Sequence, residues 1–92
     1  MQISEKILTE ENDKELGNMN RERRHNIEVI IRKFRNVLEE LECERNDEER
    51  IFENIPENLQ GSLRGEESQE AIEIMNDAIA AIEEAMEMLA SI

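Results

Sequence analysis

Ninety-two residues, 38% of them charged and 38% apolar, with two Phe, no Trp or Tyr and a single proline, argue against a sheet protein and for long amphipathic helices. A net charge of −13 argues against general nucleic-acid binding through the whole surface and favours basic partners. One cysteine, Cys43, rules out an internal disulfide and fits a reducing setting; with no apolar run of membrane-spanning length and no signal-peptide pattern at the start, the expected location is the cytosol.

Residues 1–18 read as an N-terminal arm or short helix. Ile3, Ile7 and Leu8 supply one apolar turn with Ser4 as its cap, and Gly17 with Asn18 is expected to break the pattern. The hairpin proper is expected over 19–92. Helix 1 is placed at about 20–54, because Ile27, Ile30, Ile31, Phe34, Val37, Leu38, Leu41, Ile51, Phe52 and Ile55 step by three and four along one face. That stripe is interrupted at Glu44, Arg45 and Glu48. Two readings stand at this point: a polar layer that sets the register between helices, or a level at which the helix faces solvent.

The connection is expected at 55–65. Pro56 suits the first position of a short helical turn and Gly61 its end, while Ile55 and Leu59 are expected to tuck into the open end of the core. So short a connection returns the next helix antiparallel. Helix 2 is placed at about 66–91, starting as early as Ser62. Ile72, Met75, Ile79, Ile82, Met86 and Leu89 follow heptad spacing, Ala71, Ala78 and Ala85 recur beside them every seven residues, and Ile74, Ala81 and Met88 recur on the next flank. An apolar arc this wide exceeds the ~100° stripe that one neighbouring helix uses. The fold class is therefore all-α: an antiparallel two-helix hairpin, dimerising into a four-helix bundle, with an N-terminal arm.

Charge is uneven along the chain. Residues 21–35 hold six Arg or Lys and two Glu, whereas 36–92 hold three Arg and seventeen Asp or Glu. Antiparallel pairing sets the basic start of helix 1 beside Glu83, Glu84 and Glu87, so that two clusters each opposed to its own helix dipole offset one another.

From Met19 onward the chain resembles a known family. The residues that carry the likeness are Met19-Asn20-Arg21-Glu22-Arg23-Arg24, the helix over 27–41, the connection Asn54-Ile55-Pro56-Glu57-Asn58-Leu59-Gln60 with Ser62, Arg64 and Glu66, and the following Ala/Ile/Glu repeat. Together they are similar to short helical-hairpin proteins encoded by phages and prophages of Gram-positive bacteria. The likeness covers about three quarters of the chain, and N-I-P-E-N-L-Q is its specific part. Gly65 departs from it, standing where family members often carry an aromatic, which is expected to loosen the start of helix 2; residues 1–18 look like an extension. The resemblance implies a small accessory phage protein. Such proteins act against host defence by blocking a defence protein or, like viral nucleotide-signal sponges, by sequestering a nucleotide immune signal.

Among candidate sites the basic stripe comes first. Arg21, Arg24, Glu28, Arg32 and Arg35 fall within about 80° on a helical wheel, flanking the apolar face, with Lys33 or Arg64 able to join. Guanidinium groups hold phosphates bidentately, so an anionic nucleotide is the natural ligand. Alternatively Glu28 pairs with Arg24 and Arg32, and the acids of helix 2 neutralise the remainder. A second candidate is the acidic run Glu39, Glu40, Glu42, Glu44, Asp47, Glu48 and Glu49, extended by helix 2, as a DNA-like surface for a basic groove; the alternative is a solvated helix face. Glu22 and His25 have the Glu-x-x-His spacing of di-iron bundles, but in one copy beside arginines, and read as solvated. Cys43 has no histidine partner and reads as a partly buried, inert thiol.

No Ser/His/Asp set or phosphate loop appears, and one histidine with no Tyr or Trp supplies little for a converging site. The expectation is a non-enzymatic protein with no cofactor and no metal. The leading function is capture of an anionic nucleotide signal by Arg21, Arg24, Arg32, Arg35 and Arg64. The alternatives are an acidic protein–protein inhibitor of a host defence complex and a structural oligomerisation module. Its partners are a second copy of itself and the nucleotide or defence protein, with no membrane and no general nucleic-acid binding.

Overall fold

The computed structural model describes residues 10–92, with side chains described from Asn20 onward. The apolar turn expected around Ile3, Ile7 and Leu8 lies outside the described residues. The architecture is an all-helical hairpin: helix α1 spans Glu10–Glu53, a single 3-10 turn η1 spans Glu57–Leu59, and helix α2 spans Leu63–Ala90. Among the described residues there is no strand. At 1.5 Å per residue, α1 is about 66 Å long, which accounts for the 72 × 19 × 17 Å envelope.

α1 begins ten residues earlier than its periodicity suggested, and the break expected at Gly17-Asn18 does not occur; both residues are helical. A single mid-helix glycine costs about 1 kcal/mol relative to alanine, and the long helix-forming stretches on either side outweigh that. Ile92 shares a hollow with Arg24 and Ile27, so the part of α1 before Arg24 runs on past the end of α2.

The connection forms as a chain of local hydrogen bonds. Asn54 N donates to Arg50 O at 3.1 Å and Ile55 N to Phe52 O at 3.0 Å, closing α1. Pro56 (φ −52, ψ 142) caps η1 from just outside it, one position earlier than expected, and Leu59 N donates back to Pro56 O at 2.7 Å. Ser62 caps α2 by accepting from Gly65 N at 3.3 Å. With α2 starting at Leu63, Arg64 belongs to its first turn rather than to the connection. Ile55 is half-buried as expected, but Leu59 is about half exposed, because η1 turns it outward over the hairpin end.

Gly65 does not loosen the start of α2. It is buried, and a Cβ built there would lie 2.0 Å from the Gln60 carbonyl oxygen and 2.6 Å from its carbon. The backbone of the connection lies directly across the first turn of α2, and only a residue without a side chain admits it. Gln60 reinforces that crossing, its side-chain Nε2 donating to Ile55 O at 3.2 Å.

The two helices pack along one seam. Ile79 is the one buried apolar side chain of the described core, at 6% exposure, and no side chain there is fully buried. Ile27, Ile31, Phe34, Leu38, Leu41 and Phe52 on α1, with Ile72, Met75, Ile82, Met86 and Leu89 on α2, are half-buried. The level of Arg45 and Glu48 forms a cross-helix polar layer, which selects the register reading over the solvent-facing one. Arg45 Nη1 donates to Asn76 Oδ1 at 2.8 Å, and the buried Ser68 hydroxyl donates to Glu48 Oε2 at 2.6 Å. These bonds are directional where the flanking apolar contacts tolerate sliding.

A two-helix core leaves much apolar surface outside. Ile74 and Met88 are 61% and 65% exposed, and Ile30, Val37, Ile51 and Leu63 are exposed as well.

Candidate functional site

Arg21, Arg24, Glu28, Arg32 and Arg35 project from one side of α1, all of them exposed. The antiparallel return brings α2 carboxylates to the same side: Arg35 shares a hollow with Glu83 and Glu87, floored by Ile31, Leu38 and Met86. Glu28 and Arg32 line a neighbouring depression with Ile31 and Arg35. A smaller hollow of about 90 Å³ lies between Arg24, Ile27 and Leu89.

The described ion pairs lie elsewhere. Arg45 Nε stands 4.0 Å from Glu49 Oε1, and Arg50 pairs with Asp47. Among the described residues Glu28 forms no ion pair with Arg24 or Arg32, and none joins the stripe to Glu83, Glu84 or Glu87. The α2 acids are close enough to lower the local positive potential without engaging the guanidinium groups.

Arg64 does not join this stripe within one chain. It sits in the first turn of α2, and Glu83, which shares a hollow with Arg35, lies 19 residues further along the same helix, a separation of about 30 Å. The two positions occupy opposite ends of the hairpin.

The acidic residues of α1 also divide differently from their appearance in the sequence. Glu39, Glu40, Glu42, Glu44 and Asp47 are distributed around the helix. Glu48 and Glu49 are half-buried and engaged with Ser68 and Arg45. The coherent acidic surface is on α2 instead. Glu66, Glu70, Glu73, Asp77 and Glu84 fall within about 60° on the helical wheel, point away from α1 and are all exposed. They run for about 27 Å with no basic residue between them. The sequence signal was the spacing of four, three, four and seven, masked by other acids at intervening positions.

Cys43 is exposed rather than partly buried, because its position on α1 points away from α2. Glu22 and His25 are both exposed on a single helix, and among the described residues no group of three His, Cys, Asp or Glu side chains is placed to hold a metal. No helix among the described residues is long and apolar enough to cross a membrane. The hollows are open surface depressions rather than pockets that enclose most of a small molecule. No protein family matches this chain, and no curated protein or solved structure is similar to it.

Proposed function

We propose that this protein is a non-enzymatic interaction module that works as a homodimer, two hairpins joined in a four-helix bundle, and engages a basic surface on a partner protein through the acidic ridge of α2. The ridge carries the reading: five carboxylates on one exposed side, about one every 7 Å on average, with no cation among them. One DNA strand carries a charge every 3.4 Å, so the ridge has roughly half that linear density and suits a basic protein groove of matching length. Such a ridge speeds association and selects partners by charge. In the phage setting that the N-I-P-E-N-L-Q likeness implies, the partner is a host defence protein and the effect is inhibition.

The dimer is supported by the exposed apolar surface. Ile30, Val37 and Ile51 on α1 and Ile74 and Met88 on α2 are 42–65% exposed, and contiguous apolar side chains left in water mark an association surface.

Capture of an anionic nucleotide by Arg21, Arg24, Arg32 and Arg35 is the second reading, supported by the exposure of these arginines and by the absence of ion pairs to them among the described residues. Glu28, Glu83 and Glu87 weaken it, since carboxylates beside the stripe repel a phosphate. Arg64 contributes only if a partner copy brings it alongside.

One pair of measurements separates the readings. Plating efficiency of a phage on a host with an active defence system is expected to rise when the wild-type protein is expressed. The rise is expected to be lost with Glu70→Lys/Glu73→Lys/Asp77→Lys and kept with Arg24→Ala/Arg35→Ala. The opposite pattern, with a rise in melting temperature on adding linear or cyclic nucleotides, would replace the first reading by the second.

A further inference from the structure

Resting on the dimer reading above, we infer that the second copy docks head-to-tail on one face of the hairpin, with the two-fold axis perpendicular to its length near the level of Glu40. The face is defined by what each helix leaves outside the seam. On α1, Ile30, Val37, Glu44 and Ile51 form a column with a step of seven, and the three apolar members are 42–50% exposed. On α2, Ile74, Ala81 and Met88 form a second such column, exposed throughout, and the half-buried Ala71, Ala78 and Ala85 lie between it and the seam. Both columns are turned about 60–160° away from the packed seam at 100° per residue. Because the helices run in opposite senses, both turns lead to the same side of the hairpin. The opposite side is the one on which Arg35 meets Glu83 and Glu87. The hairpin therefore has one apolar face and one charged face, and the alanines let another helix approach the apolar one closely.

Charge decides the orientation. The end of the hairpin built from residues 20–36 and 82–92 carries six Arg or Lys against five Glu, whereas 37–81 carries fourteen Asp or Glu against three Arg. Two copies packed parallel would set the strongly acidic ends side by side, within a Debye length of about 8 Å at physiological salt. Packed head-to-tail, each acidic end lies beside the near-neutral, arginine-bearing end of the other. The apolar columns span levels 30–51 of α1, so they cover one another when the axis passes through their middle. Lys33, on the rim of the face, then comes to the level of Glu44 and Asp47 of the second copy, which gives the lone carboxylate in the α1 column a cation.

A spin-label distance tests this. In a Cys43→Ser background, Arg23→Cys places a nitroxide at an exposed position near one end of the hairpin, one step of seven before Ile30 and so beyond the apolar column. Head-to-tail docking is expected to give an inter-label distance of about 50 Å, twice the 17-residue offset from the axis at 1.5 Å per residue. A distance under about 25 Å would overturn the orientation and leave the dimer standing. No dipolar signal at tens of micromolar, together with a monomeric mass by light scattering, would overturn the dimer itself. A charge exchange gives an independent reading of orientation. Lys33→Glu and Glu44→Lys are each expected to weaken dimerisation, and the double exchange to restore it. If the double variant is no better than the singles, the Lys33–Glu44 facing is wrong.

Discussion

At the scale of single residues the connection is decided by Gly65. Alanine is the better helix former by about 1 kcal/mol, so an unobstructed helical glycine gains from the change. Here the new methyl would meet the Gln60 carbonyl oxygen at 2.0 Å, and backbone cannot swing aside as a side chain can. Gly65→Ala is expected to cost about 1–3 kcal/mol and to lower the melting temperature by circular dichroism. Gly61, whose Cβ position is empty to 4 Å, is the control: Gly61→Ala is expected to leave stability unchanged or raise it by up to about 1 kcal/mol. If both variants melt alike, the connection does not cross α2 as described. Ser68 is the second such position, buried and donating to Glu48 at 2.6 Å. Ser68→Ala is expected to cost about 1–2 kcal/mol in urea unfolding, the half-exposed Glu48 recovering part of its loss from water.

At the scale of elements, the polar layer and the overhang behave differently. Arg45 and Asn76 meet across the seam, so alanine substitutions at the two positions are expected to be non-additive by about 0.5–1 kcal/mol in a double-mutant cycle. Full additivity would mean that the contact does not exist in solution. The stretch of α1 before Arg24 runs past the end of α2. A chain starting at Met19 is therefore expected to melt within a degree or two of the full one, and a large drop would show that the overhang packs on something. The α1 periodicity over 27–52 was legible in the sequence because packing against α2 imposes it. The helix before residue 20 was not, since no apolar repeat marks it and Gly17-Asn18 looked like punctuation. The polar layer was visible only as an interruption. Whether Arg45 faces a partner or water depends on what the second helix sets opposite it, and Asn76 lies 31 residues away.

At the scale of the whole molecule, the proposed docking of a second copy on the apolar face makes stability depend on concentration. Dimer stability falls by about 1.4 kcal/mol per tenfold dilution, so the melting temperature is expected to drop by several degrees from 100 to 10 micromolar protein. A melting temperature independent of concentration, from a monomer by light scattering, would remove the four-helix bundle. Ile79→Asp buries a carboxylate in the seam and is expected to unfold the chain at any concentration. Ile74→Asp/Met88→Asp leaves the seam intact and is expected to act through association, its loss of helicity shrinking as concentration rises.

The sequence by itself determined the helical class, the hairpin and most of the seam, because each is written in local periodicity, and periodicity follows from which side of a helix is dry; Ile30, Val37 and Ile51, expected on the same face of α1, lie outside the seam and are exposed. Tertiary structure alone decided which charged residues act together. The antiparallel return expected from the sequence already set the arginine stripe beside Glu83 and Glu87; folding showed that no ion pair among the described residues joins them, and it left Arg64 at the far end. It also resolved the acids, drawing Glu48 and Glu49 into the seam and leaving the α2 ridge exposed. The physical reason is range. Helix formation and burial are set by neighbours three and four residues apart, whereas the electrostatic surface is set by groups that meet only after the chain has turned back on itself.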